Sequence, residues 1–287
     1  MQIWNLDFNS DNYSLFLTFM ISNLGNGNLN NGVTIYLYDK MKHSEYLKTL
    51  EFTNQHLKAQ EKQFYIKIEN DNSLIYNNDE LQIKVNSGKD NSFDINTKIK
   101  LPINSNTTVS SKFDFKNQNI YYKILYIYPQ TIQFIYRGKE VSSFGSIGLE
   151  CILSTDDPLN FANSFYFIRN FDPKYKFFLF YVDYKKITEN PISKIHLNFN
   201  ENTLHPKTMN YKEDTILFEF SNCKVFGKKI NYLGGFDILN HVSFMLRWFL
   251  KLLRIDPFIK HYRTFLETDC GGDPIQFKYS QLTHIGL

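Results

Sequence analysis

The sequence predicts an all-β fold: two antiparallel β-barrels in tandem with one amphipathic helix near the C-terminus. Three observations carry this. The chain has 287 residues, and at about 150 residues per domain two units fit. Phe and Tyr contribute 27 and 19 residues while alanine occurs only at Ala59 and Ala162, so strand-forming side chains abound and the best helix former is nearly absent. Short alternating apolar runs recur between Asn, Asp, Ser and Gly turns along most of the chain.

The elements follow in order. Tyr13 to Ile21 and Val33 to Tyr38 flank a Gly/Asn cluster at 23–32 whose residues tolerate positive φ, the pattern of a hairpin. Tyr46 to Phe52, Gln63 to Ile68, Glu80 to Val85 and Phe93 to Leu101 continue the series. The stretch 45–62 also fits one helical face, and strand is favoured only slightly. After the polar segment 104–119 come Tyr121 to Tyr128, Thr131 to Tyr136, Gly145 to Leu153, Phe161 to Ile168, Lys176 to Tyr184, Ile192 to Phe199 and Thr215 to Phe220. That strand count exceeds one small barrel, so the expected units are 1–140 and 141–287. An internal echo points to duplication: Trp4 to Phe8 followed by Leu15 to Phe19 resembles Phe165 to Arg169 followed by Phe177 to Tyr181.

Residues 236–254 break the β pattern. Leu239, Val242, Met245, Leu246, Phe249, Leu250 and Leu253 recur at helical spacing, with His241, Arg247, Lys251 and Arg254 largely opposite, before Asp256-Pro257. The plainer reading is a helix capping a barrel, with Leu246 and Trp248 covered. The sharper one is peripheral membrane contact through Arg247, Trp248, Phe249, Lys251 and Arg254.

A formal charge of +3 with interspersed signs gives no nucleic-acid footprint. Cys151, Cys223 and Cys270 are far apart and odd in number, and are expected to be free thiols in a reducing compartment. With no apolar run of about 18 residues and no leader-like start, the cytoplasm is the expected location. Phosphate-loop, nucleophile-elbow, dinucleotide and His-Glu-x-x-His motifs are all missing. The seven histidines show no ligand spacing, so neither metal nor cofactor is expected.

Trp4 with its strand and hairpin ending in Leu37-Tyr-Asp39, then Phe64-Tyr-Ile-Lys-Ile68, Asn72-Ser73 and Glu80-Leu-Gln-Ile-Lys84, resemble the first barrel of the AttH/carotenoid 1,2-hydratase-like calycins, which are tandem lipocalin-like proteins. Gly145-Ser-Ile-Gly148-Leu-Glu150, followed by Phe165-Tyr-Phe-Ile-Arg169, is similar to the glycine-rich element that opens that family's second barrel. Cys151 stands where a His commonly follows the Glu, and the subsequent Trp-Gly is missing. The resemblance implies a barrel that binds a hydrophobic small molecule such as an isoprenoid, polyene or lipid. It also implies a hydratase, cyclase or isomerase working without cofactor. The alternatives are a non-catalytic lipid or pigment carrier, which the two departures favour, and a β-rich interaction protein without a cavity.

Proton delivery to an alkene carbon suits a carboxylic acid in an apolar pocket, where burial raises its pKa, with aromatic faces steadying a carbocation. Glu150, expected on a second-barrel strand, is the leading candidate, with pairing to Arg169 as its structural alternative. Asp183, amid Phe178-Leu-Phe-Tyr-Val-Asp-Tyr184, is the second. Trp4, Phe165, Phe167, Arg169 and Tyr181 are the candidate ligand contacts. Glu267 and Asp269 share a strand face and read more simply as solvated charge; the basic cluster Arg254, Lys260, His261 and Arg263 fits solvent or anionic headgroups equally.

Overall fold

The computed structural model describes residues 2–286 apart from 24–28, 53–56, 61–64, 69–71, 78, 89–91, 101–105, 116–117, 155–161, 171–176, 185–191, 198–199, 205–207, 213, 220–222, 238–243, 253–257 and 270–272. It divides into two compact units, Met1–Asp157 and Pro158–Leu287.

The first unit contains β1 (Gln2–Ser10), β2 (Tyr13–Asn23), β3 (Leu29–Asp39), β4 (Ser44–Phe52), β5 (Leu57–Gln60), β6 (Tyr65–Ile68), β7 (Asn72–Asn77), β8 (Glu80–Asn86), β9 (Phe93–Lys100), β10 (Asn106–Phe115), β11 (Gln118–Tyr136) and β12 (Lys139–Ser154). They form one curled antiparallel sheet in the order β4-β3-β2-β1-β12-β11-β9-β8-β7-β6-β5, with β10 paired to β11. The second unit contains β13 (Ala162–Asn170), β14 (Phe177–Tyr184), β15 (Ile192–Leu197), β16 (Asn200–Leu204), β17 (Thr208–Tyr211), β18 (Thr215–Glu219), β19 (Lys224–Asp237), α1 (Phe244–Leu252), β20 (Phe258–Asp269) and β21 (Ile275–Gly286). Its sheet runs β16-β15-β14-β13-β21-β20-β19-β18-β17.

In both sheets the first strand of the unit pairs with the last, β1 with β12 and β13 with β21. The sequence echo therefore marks equivalent hairpins, β1-β2 and β13-β14. Each unit also has its own apolar core. Trp4, Leu6 and Phe8 of β1 pack in the first with Leu15, Leu17, Phe19, Leu149 and Cys151. Tyr166, Ile168, Leu179, Tyr181, Phe218 and Leu282 form the second. The all-β tandem architecture read from the sequence is the observed one.

Several sequence expectations change. The division falls after Asp157 rather than at 140, because β12 pairs along the whole of β1, from Gln2↔Leu153 to Ser10↔Gly145, and so completes the first sheet. Within the polar stretch 104–119, β10 pairs antiparallel with the start of β11, from Asn106↔Ile127 to Phe115↔Gln118. Two runs read as separate strands are the single β11, whose pairing with β12 shifts register between Ile127 and Gln130. Pro129 lies within that shift and lacks the N–H that a ladder needs. The ambiguous stretch 45–62 contributes strands β4 and β5.

The expected helix start also changes: Phe236 and Asp237 belong to β19 and pair with Ile259 and Phe258, and the described helix is Phe244–Leu252. Leu239, His241 and Arg254 lie outside the described residues. Finally, Cys223 is disulfide-bonded, while Cys151 is buried and outside any disulfide, so the expectation of three free thiols fails. Cys270 lies outside the described residues.

Candidate functional site

Strand alternation gives β1 two buried faces. Trp4, Leu6 and Phe8 enter the first core, whereas Ile3, Asn5 and Asp7 point the other way and are also buried, at 5%, 7% and 4% exposure. On β12, Leu149 and Cys151 face the core while Glu150 and Ile152 join the opposite face, where Glu150 is 2% exposed. The register sets Asn5 across from Glu150 and Asp7 across from Gly148. Asn5 Nδ2 donates to Glu150 Oε2 at 3.2 Å.

Asp7 is thus the diagonal neighbour of Glu150, with their positions about 7 Å apart, and Gly148 leaves the place between them without a side chain. Phe16 lies across from Asp7 on β2, Tyr36 across from Phe16 on β3, and both are buried. The result is a buried face with two carboxyl groups, one amide and aromatic neighbours.

Two turns position it. Arg137 and Gly138, both at positive φ (50° and 72°), join β11 to β12 as a tight two-residue hairpin that sets the β12 register. Gly145 lies where β12 meets the end of β1; a Cβ there would stand 2.4 Å from the Asn9 carbonyl oxygen and 2.8 Å from the Phe8 ring. This close approach is the physical reason for a glycine at the head of the Gly145 to Glu150 element.

Glu150 therefore departs from its sequence reading twice. It belongs to the first unit, not the second, and it lies on the face opposite that unit's apolar core. The physical reason is the parity of β12, since Ile147, Leu149 and Cys151 take the core side.

The second unit brings together a different set. On the core face, β14, β13, β21 and β20 place Tyr181, Tyr166, His284 and Lys260 side by side through the pairs Tyr166↔Tyr181, Tyr166↔His284 and Lys260↔His284. The Tyr166 and Tyr181 rings lie 5.8 Å apart, and Phe258 meets His284 edge-on at 4.9 Å. Burial, and after it the Asp183 carboxylate, pushes the Tyr181 phenol up. Burial, reinforced by the Lys229 and Lys260 charges, pushes His284 down to about 4, so it is neutral at pH 7.

On the reverse face Arg169, fully buried, donates from Nη2 to Thr283 Oγ1 at 2.9 Å, and His261 Nδ1 lies 2.9 Å from the same hydroxyl. Burial, with the Arg169 charge second, pushes His261 down to about 3. Read from the sequence as facing solvent or anionic headgroups, His261 is instead 4% exposed, because odd-numbered positions of β20 share the Thr283 side of the sheet.

The remaining expected site residues scatter. Trp4 lies in the first core and its Nε1 has no hydrogen-bond partner among the described residues. Phe165 and Phe167 are buried on the Arg169 face. Asp183 is half-buried at the end of β14 and accepts from Asn163 Nδ2 at 3.3 Å. Glu267 accepts from Gln276 Nε2 at 2.9 Å, and Asp269 and Lys260 are exposed. Trp248 and Lys251 are exposed, which removes the expectation of a covered Trp248; Arg247 is half-buried, and only the backbone of Phe249 is described. Among the described residues no three His, Cys, Asp or Glu side chains cluster as a metal site.

Sequence reasoning missed Asp7, Thr283 and the placement of His284. The signal for Asp7 was present, since Trp4-Asn-Leu-Asp-Phe8 alternates large apolar and polar residues on a strand paired on both sides.

No family model and no curated protein matches the chain. Solved structures do match over nearly its whole length. A candidate AttH from Nitrosomonas europaea is 8% identical with a TM-score of 0.67, covering 99% of this chain and 92% of its own. Kievitone hydratase from Nectria haematococca is 8% identical with a TM-score of 0.63, covering 99% and 88%. CghA is 8% identical with a TM-score of 0.55, covering 100% and 88%, and has also been solved with Sch210972. The chain thus has the tandem lipocalin-like fold of these proteins.

Proposed function

We propose that the protein binds a hydrophobic small molecule, of isoprenoid, polyene or related character, and hydrates, cyclises or isomerises it by carboxylic-acid catalysis without a cofactor. The observation that carries this reading is the buried Asn5, Asp7 and Glu150 face on the paired central strands β1 and β12. Two carboxyl groups in one water-poor place take opposite roles when their environments differ.

Glu150 gives its proton to an alkene carbon, and the π electrons form the new C–H bond, leaving a carbocation. In hydration, water attacks the cation and passes its surplus proton to Asp7; in cyclisation or isomerisation the cation closes on a second alkene or loses a neighbouring proton to the same base. Asn5 holds the Glu150 carboxyl in place through Oε2, and aromatic faces such as Phe16 and Tyr36 steady the cation. Similarity of fold to kievitone hydratase supports a hydratase-type reaction by analogy.

The test is turnover of a molecule recovered from the protein by organic extraction. Glu150→Gln and Asp7→Asn should each lower kcat by about 10²-fold or more while the ligand still binds. Undiminished turnover by Glu150→Gln would defeat the acid role, and binding without turnover by the unaltered protein would establish a carrier.

A further inference from the structure

We infer that α1 docks the protein on the surface of an anionic lipid bilayer. Four apolar side chains of the helix face outward: Phe244, Met245, Trp248 and Leu252 are 82%, 81%, 61% and 64% exposed. At about 100° per residue these four fall within one arc of roughly 100°, and Lys251, also exposed, borders that arc. A large aromatic-aliphatic arc turned to water with a cation at its edge is the composition of a helix lying in a membrane interface, where Trp and Phe enter the headgroup boundary and Lys reaches phosphate.

Charge points to the same occupant. Between Asp237 and Arg263 stand Arg247, Lys251, Arg254, Lys260 and Arg263 against two aspartates, Asp237 and Asp256, so this stretch accounts for the entire formal charge of +3. The helix has no acidic residue. A second copy seated on the arc would bring the Lys251 side chains of both copies together with no carboxylate on either helix to offset them, whereas an anionic bilayer complements them. Among the described residues no helix is long and apolar enough to cross a membrane, and nine-residue α1 suits a position along the surface. In the chain α1 lies between Asp237 and Phe258, which pair with each other in the second sheet.

The chain supplies its own reporter. Of its two tryptophans, Trp4 is fully buried and Trp248 exposed, so a change in emission reads the helix. With phosphatidylcholine vesicles containing phosphatidylserine, the protein should float with the vesicles, and Trp248 emission should shift blue and resist acrylamide. Salt should weaken binding, Lys251→Ala should weaken it about fivefold, and a Phe244→Ser/Leu252→Ser variant should remain in the soluble fraction. Both changes are at exposed positions, so an unaltered circular dichroism spectrum confirms that the variant is folded. Failure to float with anionic vesicles, equal flotation of the double variant, or vesicle-independent self-association abolished by the same variant would overturn the inference.

Discussion

The ring of Tyr166 lies flat on the imidazole of His284, centroids 4.3 Å apart and planes 14° from parallel. The two residues face each other across the β13-β21 pairing that joins the first strand of the second unit to its last. The stack keeps His284 largely out of water, and it shares with His261 a pKa far below the ordinary 6.5, at about 4 and about 3 respectively. A lowered folded-state value means that the unfolded chain takes up protons first as pH falls. Stability is therefore complete above about pH 6.5 and is lost as pH drops towards 4, at up to about 2.7 kcal/mol per pH unit when both histidines contribute. Urea titrations between pH 7 and 4.5 should show this decline, and His284→Gln should roughly halve its slope.

Gly145→Ala should destabilise the first unit by about 1–3 kcal/mol, since the added methyl meets the Asn9 carbonyl, which belongs to the backbone of a paired strand and cannot swing aside. Chemical denaturation measures it. An unchanged midpoint would show that β1 and β12 do not approach so closely.

Asn5→Ala removes the amide that donates to Glu150 Oε2 within a buried face. The expected cost is about 1–3 kcal/mol of stability, together with a displaced pH profile of turnover, because the carboxyl loses the donor that favours its charged form. Asn5→Asp should shift that profile further towards alkaline pH, through like-charge repulsion between the two carboxylates.

The Cys223 disulfide should appear in a non-reducing peptide map as a cross-linked Cys223 peptide that separates on reduction. Reduction, or Cys223→Ser, should cost roughly 2–4 kcal/mol.

The fold was legible because alternation and turn residues are local signals, and because the echo between Trp4 to Phe19 and Phe165 to Tyr181 falls on equivalent hairpins of the two sheets. Pairing was less legible. Nothing local says that β12 turns back to β1, and this one long-range contact moved Glu150 from the second unit to the first. Parity was hidden for a related reason: Glu150 and Leu149 sit in an apolar run, and only packing decides which of them meets the core. His261 and Thr283 are 22 residues apart in sequence and are joined by the β20-β21 register. The outward turn of α1 ran against its pattern, because Met245 looked like part of a buried stripe and is 81% exposed.

The central claim is that the protein holds an apolar small molecule, and native mass spectrometry after incubation with an organic extract of its source cells tests this most directly. The expected result is a complex carrying one added small-molecule mass, released by organic solvent and recovered as an apolar compound that the protein converts and the Glu150→Gln variant binds without converting. A spectrum showing only the bare chain after that incubation, with the sheet signature in circular dichroism intact, would contradict the account.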